Sequence, residues 1–456
     1  MTEGEIDIEY GLDEQPPPLK AALLGLQHLA VMIVPATAVA YVVGGAVGLG
    51  GGDLAYIVQM VLLFSGLATV VQAYSVGAVG ARLPIVMGTS FTFVGASISI
   101  GSSAGLATVF GSILVAGFLV EGLIGWQFKR IESFFPPLVT GLVVVIIGLY
   151  LIPVGMDYAA GGPTASDYGA VHHIGLAALV LLIAVVLNTF TDGITRLLST
   201  LIGIAVGYAG ALALGLVDFG AVGAAAWVAL PQPGKFGFAF DPVAIVTFAF
   251  LFLVSAMETV GDMSGITAAE GRTPSDEEFR GGLFTDGLLS SLGAPFGAFP
   301  VTSFSQNVGI VNFTGVMSRH VVAITGGMLA LLGLSPKVGA LVTTIPQAVF
   351  GGAVLLMAGM VAASGVRLVF LHCEMNRRNM TVMAVSLGLG LGIATRPDAI
   401  SGLPAAAQTF FGQPVILTAL SALLLNTFAP GDQSPLFDAP ESPDEIGEPV
   451  ASSSDD

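Results

Sequence analysis

Eleven stretches of this chain run for 17 residues or more without a single Asp, Glu, Lys or Arg: 21–52, 54–81, 83–120, 133–156, 168–191, 197–217, 287–318, 320–336, 338–366, 379–395 and 399–431. A segment of about 20 mostly apolar residues is long enough to cross a bilayer as a helix. In lipid every backbone polar group must be satisfied within the protein, so repeated apolar segments of this length fold as helices. One more segment, 242–268, is interrupted only by Glu258 and Asp262. Two regions exceed a single crossing: 83–120, and 282–318 with Asp286 inside it. Two passes in each give an all-α polytopic membrane protein with 14 transmembrane segments.

Composition agrees. Charged residues make up 10% of the chain and hydrophobic residues 54%, with a mean hydropathy of +0.88. A soluble fold of 456 residues needs far more charge to cover its surface. The formal charge of -17 is concentrated at the ends. Six acids precede Lys20 and eight follow Pro430, which leaves the body near neutrality. Residues 1–19 and 431–456 therefore read as acidic, disordered cytoplasmic tails. A lone cysteine, Cys373, excludes an intramolecular disulfide. Without a basic stripe, nucleic-acid binding has no foundation. The acidic, proline-ended N-terminal segment does not resemble a cleavable signal peptide.

Positive charge gives an independent test of the span count. With fourteen passes and the N-terminus inside, the cytoplasmic side receives Lys20, Arg82, Lys129, Arg130, Arg196, Arg272, Arg280, Arg319, Arg367, Arg377 and Arg378. The outer side receives Lys235, Lys337 and Arg396. Both termini are then cytoplasmic, in a multi-pass protein of the plasma membrane.

Two segments are unlike ordinary spans. Residues 83–96 and 299–311 are each too short, as helix, to cross the hydrocarbon core. Both begin around a proline and align from it: Leu83-Pro84-Ile85 with Phe299-Pro300-Val301, and Ser90-Phe91 with Gln306-Asn307. Paired broken segments in two halves point to a transporter's midplane site. Seven spans per half make the halves inverted relative to one another. Close helix packing by small residues is the simpler reading of one such segment; two aligned ones with polar side chains favour a site.

Intramembrane carboxylates are costly and usually functional. Glu258 and Asp262 are four residues apart and share a helix face. Asp286 lies near a basic loop, where capping or pairing would also explain it. The run Ser305-Gln306-Asn307 places adjacent amides in a short buried segment, which demands partners. Gln offers a donor and an acceptor side by side, a match for the N–H/C=O edge of a planar heterocycle. Phe91 could stack on its face.

The run from Gln306 to Gly315, which includes Thr314, matches the pattern Q/E/P-N-x-G-x-x-x-x-T-R/K/G. In this it resembles the nucleobase–ascorbate transporters, the nucleobase:cation symporter-2 or xanthine/uracil permease family. Glu258 to Asp262, Asp286-Gly287 and Gln27-His28-Leu29 are similar to the family's pattern in order and spacing, over about 20–428. The resemblance implies two inverted seven-span repeats. A core domain would comprise 20–130 (spans 1–4) and 240–336 (spans 8–11). A gate domain would comprise 131–220 (spans 5–7) and 338–428 (spans 12–14). It further implies that Glu258 hydrogen-bonds the base, Gln306 reads its other edge and Phe91 stacks, with hydrogen bonds from the backbone around Ser90 and Ser305. Asn307 would shape the site; Asp262, Asp286, His28 and Thr314 would serve site shape or ion coupling. Homodimers through the gate domain are common among relatives.

Gln306, rather than Glu, and Asp262, where uracil-type members tend to carry His, favour xanthine or urate. Uptake would be secondary active and ion-coupled, with H+ as the expected ion and Na+ as the alternative, and with no organic cofactor or resident metal. Other readings are a uracil or other nucleobase permease, or an anion transporter of similar architecture. The latter would be expected to place a basic residue at the site, yet 83–128 and 281–318 contain no Lys or Arg. An enzyme would need a nucleophile, metal cluster or nucleotide loop, and no such motif is present.

Overall fold

The computed structural model describes residues 8–125 and 136–430. The first seven residues, Lys129, Arg130 and the acidic segment 431–456 lie outside the described residues. Among the described residues, seven helices are long and apolar enough to cross a membrane singly. They include Pro18–Ala46, Gly51–Tyr74, Pro137–Ala159, Pro242–Glu270 and Gln347–His372. Two further pairs pass the same test together but are bent: Arg319–Gly333 with Pro336–Thr343 by 82°, and Ala405–Phe411 with Pro414–Phe428 by 79°.

Helix packing sorts these elements into two groups. Gly51–Tyr74 lies along Arg319–Gly333, and Pro18–Ala46 packs on both. Pro137–Ala159 lies along Gln347–His372, joined by Val171–Phe190 and Pro414–Phe428. Contacts between the groups are sparser and run mainly through Pro242–Thr267 and Pro18–Ala46.

Both over-long regions break in the middle. In the first, strand β1 (Met87–Thr89) leads through a 3-10 turn (Phe91–Phe93) into the half-helix Val94–Ala104. That half-helix ends at Gly105, whose φ of +85° redirects the chain into Leu106–Leu119. In the second, Asp276–Gly293 is followed by strand β2 (Val301–Ser303) and the half-helix Ser305–Thr314. Gly315, with φ at +66°, ends it. The two strands pair antiparallel, with Gly88 opposite Thr302. A Cβ on Gly88 would sit 1.7 Å from the Phe304 ring, so only glycine allows this crossing.

The structure corrects the proline-anchored alignment. Val301 follows Pro300 directly, whereas Met87 lies three residues beyond Pro84. Measured from the strands, Ser90 and Phe304 are equivalent, each the single residue between its strand and the helical turn that follows. The broken segments are also not short helices throughout: each is part strand, and the first continues to Ala104.

A second correction concerns the N-terminal tail. Residues 9–14 dock on the turn that follows the second half-helix. The N–H groups of Glu9 and Tyr10 donate to the Gly315 carbonyl, and Met317 and Arg319 donate N–H bonds to Tyr10 and Leu12. Asp13 pairs with Arg319 at 2.7 Å, and Glu9 pairs with Lys20 at 2.5 Å. Acidic composition alone reads as tail; here backbone pairing holds the strap.

Candidate functional site

The helix Pro242–Thr267 runs past both half-helices and presents Glu258 and Asp262 one turn apart on one face. Each acid finds hydroxyl donors on a different broken segment. Glu258 accepts from Thr92 at 2.7 Å and from Ser90 at 3.2 Å, both at the start of the first half-helix. Asp262 accepts from Ser303 at 2.6 Å, at the end of β2. Both half-helices begin here, where the leading N–H groups have no intrahelical partner. The Ser90 N–H is already bonded to the Pro300 carbonyl, at 3.1 Å, and the Thr92 N–H to the Ser90 hydroxyl, at 3.3 Å.

Gln306 is half-buried in the first turn of the second half-helix, and its amide makes no hydrogen bond among the described residues. Ser305 is exposed beside it and lies close to Asp262. Val308, on the same half-helix, would stand 3.0 Å from a Cβ at Gly265 of the Glu258 helix, so the two elements touch. Phe91 is half-buried at the first position of the 3-10 turn, between Ser90 and Thr92. Its neighbour Phe93 is fully buried, stacked against Phe248 and tilted on Phe252.

Asn307 points away from this group. Its side-chain N–H donates to the Pro84 carbonyl at 2.6 Å, which ties the second half-helix to the segment preceding β1. The side chain of His28, on Pro18–Ala46, lies against it, and both are buried. His28 and Asn307 thus hold the crossing together from behind. Thr314 closes the half-helix: its hydroxyl donates to the Ile310 carbonyl at 2.8 Å and accepts from the Val316 N–H at 3.3 Å.

Asp286 is not capped or paired at a helix start. It lies deep in Asp276–Gly293, fully buried, and accepts from Gln72 at 3.2 Å and from the Thr259 hydroxyl. Thr302 stands 3.5 Å away and 3.0 Å from the Thr259 hydroxyl. The Ser303 hydroxyl lies 3.4 Å from that of Thr259, so a chain of hydroxyls joins Asp286 to β2 and, through Ser303, to Asp262. Among the described residues no Lys or Arg pairs with any of these acids. Reading the sequence alone did not single out Thr92, Gln72, Thr259, Thr302 or Ser303. Their signal is weak: a hydroxyl or amide in an apolar helix usually bonds its own backbone.

The xanthine/uracil permease model, described as "Permease family", matches residues 19–399. This chain belongs to that family. A xanthine permease of Bacillus subtilis (strain 168) is 40% identical over 408 residues, covering 89% of this chain and 93% of that protein. A uric acid permease of the same organism is 38% identical over 418 residues, covering 91% and 97%. A xanthine permease of Escherichia coli (strain K12) is 34% identical over 441 residues, covering 93% and 94%. Among solved structures, the transmembrane domain of a cyanobacterium bicarbonate transporter, BicA, matches with a TM-score of 0.59 at 14% identity, over 91% of this chain and 98% of that one. The murine Solute Carrier 26 family member A9 anion transporter, in its inward-facing state, gives 0.64 at 11%, over 91% and 69%. At such identities these structures show the fold alone, and it is the inverted-repeat fold expected from the sequence. The chain is an integral membrane permease and not an enzyme.

Proposed function

We propose that this permease carries an oxidised purine of the xanthine or urate type across the plasma membrane by alternating access. The observation that carries this reading is that Glu258 and Asp262, one turn apart on one helix, each bond a hydroxyl of a different broken segment. Glu258, steadied by Thr92 and Ser90, supplies a buried acceptor for ring N–H groups. Gln306, with its amide unbonded, supplies the donor and acceptor for the opposite edge. Phe91 stacks on the ring face, and Ser90 and Ser305 frame it. Asp262, Asn307, Asp286, His28 and Thr314 shape the site or couple it to the ion, in the roles their contacts suggest. The named activities of the xanthine and uric acid permeases support this substrate class over uracil.

The two packing groups support a core domain of 20–130 and 240–336 that moves against a gate domain of 131–220 and 338–428. In this reading fourteen spans cross the bilayer, both termini are cytoplasmic, and two copies associate through the gate. Uptake is coupled to H+, with Na+ as the alternative. A buried carboxylate without a basic partner suits a proton, because neutralising it removes the cost of its burial. The test is uptake of labelled xanthine, competed in turn by urate, guanine, hypoxanthine and uracil, with and without a protonophore. Competition by urate and collapse with the protonophore are expected. Competition by uracil alone, or uptake indifferent to every base, would defeat the proposal.

A further inference from the structure

Glu258, Asp262 and Asp286 each accept a hydrogen bond from a hydroxyl or an amide. Glu121 is different. It starts the short helix Glu121–Ile124, which continues Leu106–Leu119, and it is fully buried. Among the described residues, neither of its carboxylate oxygens has a hydrogen-bond partner. The Ser255 hydroxyl on the Glu258 helix lies close by, and it too has no partner among the described residues.

The groups around Glu121 make its charge harder to hold. The acids near enough to act on it are Asp286, on Asp276–Gly293, and Glu258, on Pro242–Thr267. Leu106–Leu119, the third element packed against it, has no charged residue. Arg280 approaches this short helix through its backbone carbonyl, beside Gly125. An ionised carboxylate buried without a partner costs several kcal/mol even after relaxation. Like charges nearby add to that cost.

What could neutralise it is limited by space. A Cβ on Gly287 would lie 2.4 Å from the Gly117 carbonyl and 2.8 Å from the Glu121 Cβ. The helices therefore touch through glycine beside this acid. A metal ion brings several oxygen ligands or waters and needs room for them. A proton needs none.

We propose that Glu121 is a further proton-binding site of this permease, linked electrostatically to Asp286 and Glu258. The proposal rests on the ion-coupled reading above. One proton adds to a carboxylate oxygen and gives the neutral acid, whose O–H can then donate to the Ser255 hydroxyl. The proton leaves by breaking the same O–H bond, which restores the negative charge. Asp286 is held by hydrogen bonds from Gln72 and Thr259 that Glu121 lacks. Occupancy at Glu121 lowers the repulsion felt by both partners, so the three acids titrate as a linked set.

The experiment uses the full chain, purified and reconstituted in lipid vesicles, with two readouts. Infrared spectroscopy follows the carbonyl band of a buried protonated acid through a pH titration. Xanthine uptake under a pH gradient gives accumulation and protons moved per xanthine. Glu121→Gln is expected to remove the band, to reduce accumulation at least about tenfold, and to lower the proton count by about one. Glu121→Asp should restore a shifted band and part of the uptake. A Glu121→Gln protein with the wild-type band and pH profile would overturn the proposal. Loss of the band with pH profile and proton count unchanged would make the proton a fixed structural one, and would overturn it equally. The band reads Glu121 whether or not a purine moves. A wild-type chain that moved no xanthine would therefore defeat the substrate reading while the band still decided the proton site.

Discussion

The two broken segments share a backbone plan and differ in chemistry. Each enters as a three-residue strand paired with the other, and each leads into a half-helix. The first brings hydroxyls, Ser90 and Thr92, and both bond Glu258. The second brings a hydroxyl, Ser303, to Asp262 and adds amides: Asn307 is fixed to Pro84, and Gln306 makes no hydrogen bond among the described residues. Both arms thus hold an acid, and in the proposed function the second also presents a recognition group. The repeat supplies geometry; in the proposed function, divergence of a few side chains makes the site asymmetric, as an asymmetric ring requires.

The sharpest way to break this comparison is to remove the charge that the first arm steadies. Glu258→Gln is expected to reduce xanthine accumulation to background in vesicle uptake. Wild-type-like, pH-dependent accumulation by that variant would remove Glu258 from the mechanism. On the second arm, Gln306→Glu should lower xanthine uptake by about 10- to 100-fold or shift competition towards uracil-like rings, as expected when one edge is misread. An unchanged competition profile would refute the specificity argument.

The supporting hydroxyls should matter less. A hydrogen bond to a charged group contributes about 1.5–3 kcal/mol, so Thr92→Val should cost roughly tenfold or more in uptake efficiency. Ser90→Ala, which removes the longer of the two bonds, should cost less; the reverse order would mean that the first arm is organised differently. Behind the site, Asn307→Ala strips the bond to Pro84 and should lower stability by about 1–3 kcal/mol. Thermal unfolding in detergent measures this. Smallest of all is the N-terminal strap. In its Asp13–Arg319 pair the Asp13 side chain is largely exposed, so Asp13→Asn should change stability by less than about 1 kcal/mol.

Much of this was legible in the sequence because lipid imposes simple rules. Charge-free runs mark membrane helices, and an acid inside such a run, like Glu258, stands out against its surroundings. The paired prolines signalled the crossing, although they misplaced its register by two residues. Three-residue strands in an apolar stretch show no alternation that could set their pairing. Thr92, Thr259 and Gln72 resemble any polar residue in a helix until the fold aims them at a carboxylate. Glu121 was hidden by its position at the boundary of a charge-free run, where an acid normally reads as loop. The strap at residues 9–14 was hidden by composition, since backbone pairing leaves no mark in residue type.

The most direct test is a structure of the full chain with xanthine bound. The account expects one ring with its N–H edge on the Glu258 carboxylate and its other edge on the Gln306 amide, each within hydrogen-bond distance. A ring held by only one of these side chains, or seated away from both half-helices, would contradict it.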